Sequence, residues 1–212
     1  MRKAIDKLIT KLDADTLANR NRYMPLVLMG DVERSPFLRS IIRKADELGI
    51  RHEVVTNKQY QYPVVIDRET CDVDYVIERL DLDNLFNDGM SCVAEAILLL
   101  LGELDLISGK NITIVGRGHA VKGLAQELID GDATVTVAHS KTESLLKATA
   151  GRDVVIYATP KLDKIIAYDT NNLVIDLSSC VRKAEWLYCD YLDAIGKLTV
   201  SVLLNRFVRW EQ

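Results

Sequence analysis

The stretch NITIVGRGHAVKGLAQELIDGDATVTVAHSKT, which runs from Asn111 to Thr142, decides the fold. It opens with a short apolar run typical of a buried strand, passes through a glycine-rich turn into a helical pattern, and ends in a second run rich in β-branched residues. When a helix connects two such strands within one sheet, the strands lie parallel and the crossover is right-handed. The stretch therefore predicts a parallel sheet covered by helices.

The same alternation continues on both sides of this stretch. Downstream, the runs DVVIYA and NLVIDL predict further strands, and upstream the strongly apolar SCVAEAILLLLGELD predicts a linking helix. Residues 93–196 are therefore predicted to form a Rossmann-type lobe that includes the linking helix. The runs PLVLMG, HEVVT and YPVVID predict a smaller α/β lobe over residues 1–92, closed by an amphipathic helix over residues 197–212. The predicted fold class is α/β with two lobes.

Composition and charge argue against several classes of function. The 212 residues are 48% hydrophobic and 27% charged and carry a formal net charge of −4, so neither nucleic acid nor an anionic membrane is an expected partner. The first residues carry charges throughout, and the longest apolar run is too short to span a bilayer, which favours a cytoplasmic protein. Four cysteines without C-x-x-C spacing and three scattered histidines predict no metal site.

The glycine turn is the first candidate for a binding site. Gly116, Gly118 and Gly123 form the pattern G-x-G-x-x-x-x-G, which departs from the dinucleotide pattern G-x-G-x-x-G. The context is nevertheless the expected one, because the turn follows a strand and opens a helix, where backbone N–H groups can approach a pyrophosphate. The turn therefore predicts dinucleotide binding, and the alternative is a tight turn between strand and helix without a ligand.

The end of the second strand indicates which dinucleotide binds. Sites that prefer NAD usually place Asp or Glu there against the ribose hydroxyls, whereas this chain has His139, Ser140, Lys141 and Thr142. A lysine with neighbouring hydroxyls suits a 2′-phosphate, so the sequence favours NADP, with NAD possible. The alternative is a solvated loop with an incidental lysine. Within the glycine turn, His119 could touch the cofactor or cap the helix.

Several motifs together resemble one known family. GRGHAVKG, ATVTVAHSKT, DVVIYATPK and LVIDLSS are similar to motifs of the methylenetetrahydrofolate dehydrogenase/cyclohydrolase family, and SCVAEAILLLL and IGKLTVSVLL extend the resemblance over most of the chain. The resemblance implies an NADP- or NAD-dependent enzyme of one-carbon metabolism that oxidises methylenetetrahydrofolate, and a homodimer. It places Arg117 of the glycine motif at the cofactor. Thr159, at the end of a predicted strand, lies where ligands of parallel sheets collect.

The chain departs from this family at positions that carry its water chemistry. The family's Tyr-x-x-x-Lys motif falls on Phe37 and Ile41, so both polar groups are replaced. A lysine there would manage charge and protons when water attacks the methenyl carbon, and isoleucine cannot. Lys44, three residues further along the same predicted helix face, could reach the site or could be an ordinary solvated lysine. The family's pterin-holding aspartate corresponds to Asp88 or to Asp83.

These observations lead to a specific prediction of function. Hydride transfer needs orientation of cofactor and substrate more than it needs a particular side chain, so it can survive the loss of the lysine. The sequence predicts an NADP-dependent methylenetetrahydrofolate dehydrogenase-like oxidoreductase with a folate-like substrate and little or no cyclohydrolase activity. The alternative is a catalytically inactive NAD(P)-binding module that acts as a regulator or as a partner subunit. Both alternatives retain the glycine turn.

Overall fold

The structure, a computed structural model, describes residues 1–20, 25–55, 64–66, 89–159, 173–177, 189–192 and 195–210. The described residues form two compact units, each built around its own parallel sheet. The small-sheet unit comprises those of Asp6–Cys92 and Gly196–Gln212, and the large-sheet unit comprises those of Met1–Ile5 and Val93–Ile195. The acidic segment before the linking helix, with Asp83 and Asp88, lies outside the described residues.

The small-sheet unit has its most apolar strand at its centre. Its strands are β1 (Leu26–Met29), β2 (His52–Val55) and β3 (Val64–Ile66), in the order β2-β1-β3 with parallel pairing. Every residue of β1 is buried, as its unbroken apolar run predicts for a strand covered on both faces. Helix α1 (Arg2–Asn19) precedes the sheet, and its residues from Asp6 onward belong to this unit.

Helix α2 (Pro36–Leu48) begins and ends where the sequence predicts. Ser35 caps it, because its side-chain oxygen accepts a 3.0 Å hydrogen bond from the backbone N–H of Leu38. Gly49 ends the helix with a φ of 65°, a left-handed conformation that favours glycine. The helix buries one apolar face, formed by Leu38, Ile41, Ala45 and Leu48.

The last helix, α6 (Gly196–Trp210), is buried rather than amphipathic. Residues 198–208 are all buried, so the prediction of an amphipathic closing helix is wrong. The polar side chains of α6 are tolerated in the interior because they have partners there. Ser201 Oγ, for example, donates a 2.9 Å hydrogen bond to Asp13 Oδ1 on α1. The contacts of α6 with α2 complete the packing within this unit.

A buried arginine on α6 holds the chain just before the linking helix, α3 (Cys92–Glu103). The side chain of Arg206 is only 3% exposed. Its Nη1 donates to the backbone oxygen of Met90 at 3.0 Å, and its Nη2 donates to that of Ser91 at 3.3 Å. A buried guanidinium is costly unless it is hydrogen-bonded, so these carbonyls stabilise its position and thereby fix the segment before α3.

The large-sheet unit has the predicted parallel sheet, in the order β5-β4-β6-β7-β8. The strands are β4 (Asn111–Val115), β5 (Thr134–Ala138), β6 (Val154–Tyr157), β7 (Leu173–Asp176) and β8 (Asp190–Leu192). The pairing confirms the α/β prediction for this half of the chain. Strand β8 was not predicted, because the three residues DYL are too short to show a strand pattern.

The predicted helix after the glycine turn is broken in two. A short 3₁₀ turn over His119–Val121 comes first, and the α-helix α4 begins only at Leu124 and ends at Asp130. Gly123 separates them with a φ of 81°, which is incompatible with a continuous right-handed helix. The prediction of one continuous helix is therefore wrong. A further short helix, α5 (Leu145–Thr149), follows β5.

Asp15 links the first and last helices of the small-sheet unit. Its Oδ2 accepts a 2.7 Å hydrogen bond from Asn205 Nδ2 and a 2.9 Å hydrogen bond from Arg209 Nη2. The hydrogen bonds from Asn205 and then Arg209 hold the pKa of the Asp15 carboxyl below its ordinary value, against a smaller opposing effect of burial. The folded state therefore favours the charged form of Asp15 more than the unfolded state does.

This arrangement predicts a pH-dependent contribution to stability. A carboxyl whose pKa is lowered on folding stabilises the protein above the unfolded pKa, about 4, and loses that effect as the pH falls through the folded pKa. Asp15→Asn should therefore lower the melting temperature at neutral pH and have a much smaller effect near pH 3. Asp6→Asn, on an exposed part of the same helix, is the control. An Asp15→Asn effect that is equal at both pH values would contradict this role.

Candidate functional site

The candidate residues collect at the carboxyl ends of the large parallel sheet. The backbone N–H of Gly116 donates to the oxygen of Ala138 at 2.8 Å, and that of Ala158 donates to the oxygen of Val115 at 2.8 Å. These bonds extend the β4 pairing just beyond its strands, so the loops after β4, β5 and β6 leave the sheet at one edge. That edge brings together the predicted cofactor residues Gly116, Arg117, Gly118, His119, His139, Ser140, Lys141, Thr142 and Thr159.

The fold itself requires a glycine at position 116. Its φ is 116°, which side-chain-bearing residues rarely adopt. A Cβ at this position would lie 2.6 Å from the backbone oxygen and 2.9 Å from the backbone carbon of Ala158. The turn after β4 therefore passes too close to the chain after β6 for any side chain, whether or not a ligand binds.

At Gly118, by contrast, neither the backbone angles nor the surrounding atoms require a glycine. Its φ is −75° and its ψ is 179°, an extended conformation open to any residue. A Cβ built here meets no atom within 4 Å among the described residues. The absence of a side chain thus leaves a backbone segment accessible from outside, as the close approach of a phosphate requires.

The break in the helix determines which residues cap the 3₁₀ turn and α4. The N–H of Val121 donates to the oxygen of Gly118 at 3.2 Å within the 3₁₀ turn, so a full α-helix does not begin at the glycines. The capping positions of the 3₁₀ turn and of α4 are Gly118 and Gly123, and this rules out His119 as a helix cap. His119 is exposed at the strand-end edge.

The loop after β5 is a closed turn held by its own residues. The N–H of His139 donates to Thr142 Oγ1 at 2.9 Å, and the N–H of Thr142 donates back to the oxygen of His139 at 2.8 Å. The N–H of Lys141 donates to the ring atom Nδ1 of His139 at 3.2 Å. His139 and Thr142 therefore shape this loop, while the side chain of Lys141 is exposed.

The site edge carries unneutralised positive charge. Arg117 and Lys141 are both exposed, at the ends of the neighbouring strands β4 and β5. Within the part of the chain that the structure describes, neither side chain has a carboxylate partner. In a protein with a net charge of −4, such cations at one sheet edge favour an anionic ligand.

A buried acid at the same edge was missed by the sequence analysis. Asp176, the last residue of β7, is 2% exposed, and Tyr191 Oη on β8 donates to its Oδ2 at 2.9 Å. The hydrogen bond joins the last strand of the sheet to the strand end beside β6. The available signal was an aspartate that closes the otherwise apolar run LVID.

On helix α2 of the small-sheet unit, the positions considered for catalysis are either apolar or occupied by a lysine that forms ion pairs. Ile41 is fully buried, and Phe37 is 37% exposed. Lys44 Nζ lies 2.6 Å from Asp13 Oδ2 and 3.4 Å from Glu47 Oε2. Burial acts to lower the pKa of Lys44, but the hydrogen bond and charge of Asp13, with those of Glu47, raise it overall. Lys44 is thus held as a paired cation.

The described residues include neither a metal-binding cluster nor a membrane-spanning helix. No group of three His, Cys, Asp or Glu side chains among them is arranged to hold a metal ion. None of the helices in the described ranges is both long enough and apolar enough to cross a membrane.

Comparison with known proteins gives matches over both units. Residues 91–190 match the family model described as the tetrahydrofolate dehydrogenase/cyclohydrolase, NAD(P)-binding domain. A protein of Campylobacter hominis named bifunctional protein FolD is 40% identical over 192 residues, which cover 79% of this chain and 68% of that protein. The chain spans 62% of the length of a Lactobacillus acidophilus FolD and 56% of that of a Clostridium botulinum FolD.

Solved structures show the same fold. The bifunctional enzyme FolD of Campylobacter jejuni matches with a TM-score of 0.74 and 19% identity, over 97% of this chain and 94% of that chain. A Trypanosoma brucei FolD, complexed with NADP cofactor and an inhibitor, matches with a TM-score of 0.71 and 20% identity, over 99% and 95%. At these identities the likeness establishes the architecture alone.

The two glycines of the turn should respond differently to the same substitution. Gly116→Ala combines an unfavourable φ with a backbone clash, and we expect it to lower the free energy of unfolding by about 3 kcal/mol. Gly118→Ala adds a methyl group in open space, and we expect a change within about 0.5 kcal/mol. Denaturant unfolding of both variants measures the difference. Equal losses of stability would show that Gly118 is also required by the fold.

Proposed function

This chain belongs to the tetrahydrofolate dehydrogenase/cyclohydrolase family, and from that membership we propose that it is an NADP-dependent methylenetetrahydrofolate dehydrogenase-like oxidoreductase. The observation that carries the proposal is the sheet edge, where the open backbone at Gly118 lies on a loop next to the exposed cations Arg117 and Lys141. The pyrophosphate of a dinucleotide can accept hydrogen bonds from such a backbone, and its negative charge can be bound by such cations. The residues present therefore fit the cofactor.

The charge at the edge supports NADP over NAD. The four residues that directly follow β5, from His139 to Thr142, include no carboxylate to bind ribose hydroxyls, and Lys141 with Ser140 is exposed there. Arg117, on the loop after the neighbouring strand, is a second exposed cation. Cations and hydroxyls stabilise a 2′-phosphate through charge-assisted hydrogen bonds, and that phosphate is the group that distinguishes NADP from NAD.

The proposed substrate is a folate that carries a one-carbon bridge. Bound NADP⁺ would supply the hydride acceptor for oxidation of that carbon to the methenyl form. The protein's own task is to hold the cofactor at the sheet edge and to orient the substrate against it. Thr159, after β6, is proposed to contact the cofactor. Asp88, outside the described residues, is proposed from the family resemblance to hold the pterin.

The surroundings of α2 support little or no cyclohydrolase activity. Ile41, at the family's lysine position, is fully buried, and Phe37, at its tyrosine position, has no polar group. Lys44, the other candidate, is paired with Asp13 and Glu47, and its raised pKa keeps it protonated, unlike a group that must accept a proton near neutral pH. Lys44 is therefore the first residue to test if hydrolysis is observed.

The same substitutions favour a second candidate function. A catalytically inactive NAD(P)-binding module, acting as a regulator or as a partner subunit, would keep the glycine turn and lose the polar groups of α2. Both candidates suit a cytoplasmic protein. A homodimer is the assembly that family membership suggests for either of them.

The first test concerns cofactor choice. Lys141→Asp should weaken NADP binding about tenfold or more, because it replaces a charge-assisted hydrogen bond with repulsion, and should change NAD binding little. Calorimetry with both dinucleotides measures the effect. Lys110→Asp is the matched control, because Lys110 precedes β4 at the opposite edge of the sheet. Equal losses for NADP and NAD would contradict the assignment of Lys141 to the 2′-phosphate.

The second test separates the enzyme from the binding module. Methylenetetrahydrofolate should reduce NADP in the presence of the protein, as followed by the absorbance of NADPH, and methenyltetrahydrofolate hydrolysis should stay at background. Asp88→Ala should lower turnover strongly while leaving NADP affinity unchanged. NADP binding without any reduction would favour the inactive module. Rapid hydrolysis by the unmodified protein would contradict the proposed loss of cyclohydrolase activity, and Lys44→Met would then identify its source.

A further inference from the structure

The loop after β5 contains a histidine whose ring is directed at the chain itself. Nδ1 of His139 lies 3.2 Å from the backbone nitrogen of Lys141 and accepts its hydrogen bond. The backbone of His139 is at the same time fixed by Thr142, through the 2.9 Å bond to Oγ1 and the 2.8 Å bond to its own oxygen. The ring and the hydroxyl therefore hold the loop from both sides of Lys141.

This contact indicates which tautomer the neutral ring adopts. A ring nitrogen that accepts an N–H carries no proton, so the neutral ring carries its proton on Nε2. The contact also fixes the point from which the Lys141 side chain leaves the backbone. A four-carbon side chain has many rotamers, and a fixed starting point reduces the number of directions that its ammonium can take.

We propose that His139 is a positioning residue that sets the preference for NADP over NAD by holding the backbone of Lys141. The proposal rests on the proposed function, because it takes the 2′-phosphate as the ligand of Lys141. His139 acts through Lys141 and need not touch the cofactor. Its effect is therefore confined to the dinucleotide that carries the phosphate.

The expected loss of NADP affinity follows from the fraction of molecules in which the loop after β5 has the conformation that binds the phosphate. Without the ring acceptor, the Lys141 N–H loses its partner and the loop occupies further conformations, of which only a fraction present the ammonium to the phosphate. The apparent affinity for NADP falls by that fraction, whereas NAD, which lacks the phosphate, is unaffected. One ordinary hydrogen bond corresponds to a factor of about five.

Substitutions can separate the ring acceptor from the rest of the side chain. An asparagine side chain accepts the N–H of the residue two positions further along, so His139→Asn can replace Nδ1 in the same turn. The longer side chain of His139→Gln does not form this turn, and His139→Ala has no acceptor. The control is His52→Ala, on β2 in the small-sheet unit.

Calorimetry with NADP and NAD on these variants tests the proposal. We expect His139→Ala and His139→Gln to weaken NADP binding about fivefold and NAD binding less than twofold, and His139→Asn to restore most of the NADP affinity. Unchanged NADP affinity in both His139→Ala and His139→Gln would overturn the proposal, as would equal losses for both dinucleotides. If His139→Ala fails to fold, the comparison of His139→Asn with His139→Gln gives the same decision.

A second measurement needs no cofactor. Amide hydrogen exchange of Lys141, followed by NMR, should be slow in the unmodified protein and in His139→Asn, and faster in His139→Gln. Equally fast exchange in all of them would overturn the role of the ring. An unmodified protein that binds neither dinucleotide would instead contradict the proposed function, and the inference with it. NADP binding that is insensitive to every His139 variant would contradict the inference alone.

Discussion

The close approach of the chain after β4 to the chain after β6 is the constraint on which the site depends. At Gly116 a Cβ would lie 2.6 Å from the backbone oxygen of Ala158, so only glycine allows the strand ends to meet. The parallel pairing of β4 with β5 and β6 then brings the following loops to one edge. Gly116 fixes the direction of the turn, and the accessible backbone at Gly118 can therefore face a ligand at this edge.

Three cations of the small-sheet unit differ from two exposed cations of the large-sheet unit in having partners within the protein. In the small-sheet unit, Lys44 and Arg209 are paired with acids of α1, and Arg206 is buried against carbonyl oxygens, so these cations stabilise packing. In the large-sheet unit, Arg117 and Lys141 extend from loop backbones without a described carboxylate partner. Charges that are satisfied internally are poor ligands, whereas exposed ones at a sheet edge can bind an anion. The contrast supports a cofactor function for the large-sheet unit.

Local chemistry made much of the fold predictable. The cap at Ser35 and the stop at Gly49 depend on residues next to the helix, and the continuous apolar runs of β4 and β6 are typical of buried strands. The errors have non-local or conformational causes. Strand β8 is too short to show a pattern, and the break at Gly123 depends on a backbone angle that glycine permits but does not require.

The sequence by itself determined the parallel sheet, the position of the glycine turn and the cations that follow β4 and β5, because these depend on local pattern and on residue type. Only the tertiary structure decided which glycine serves the fold, that Lys44 is paired with Asp13, and that the ring of His139 binds the backbone of Lys141. The physical reason is distance. A packing clash or an ion pair depends on atoms that folding brings within a few ångströms, and the order of residues along the chain does not specify that separation.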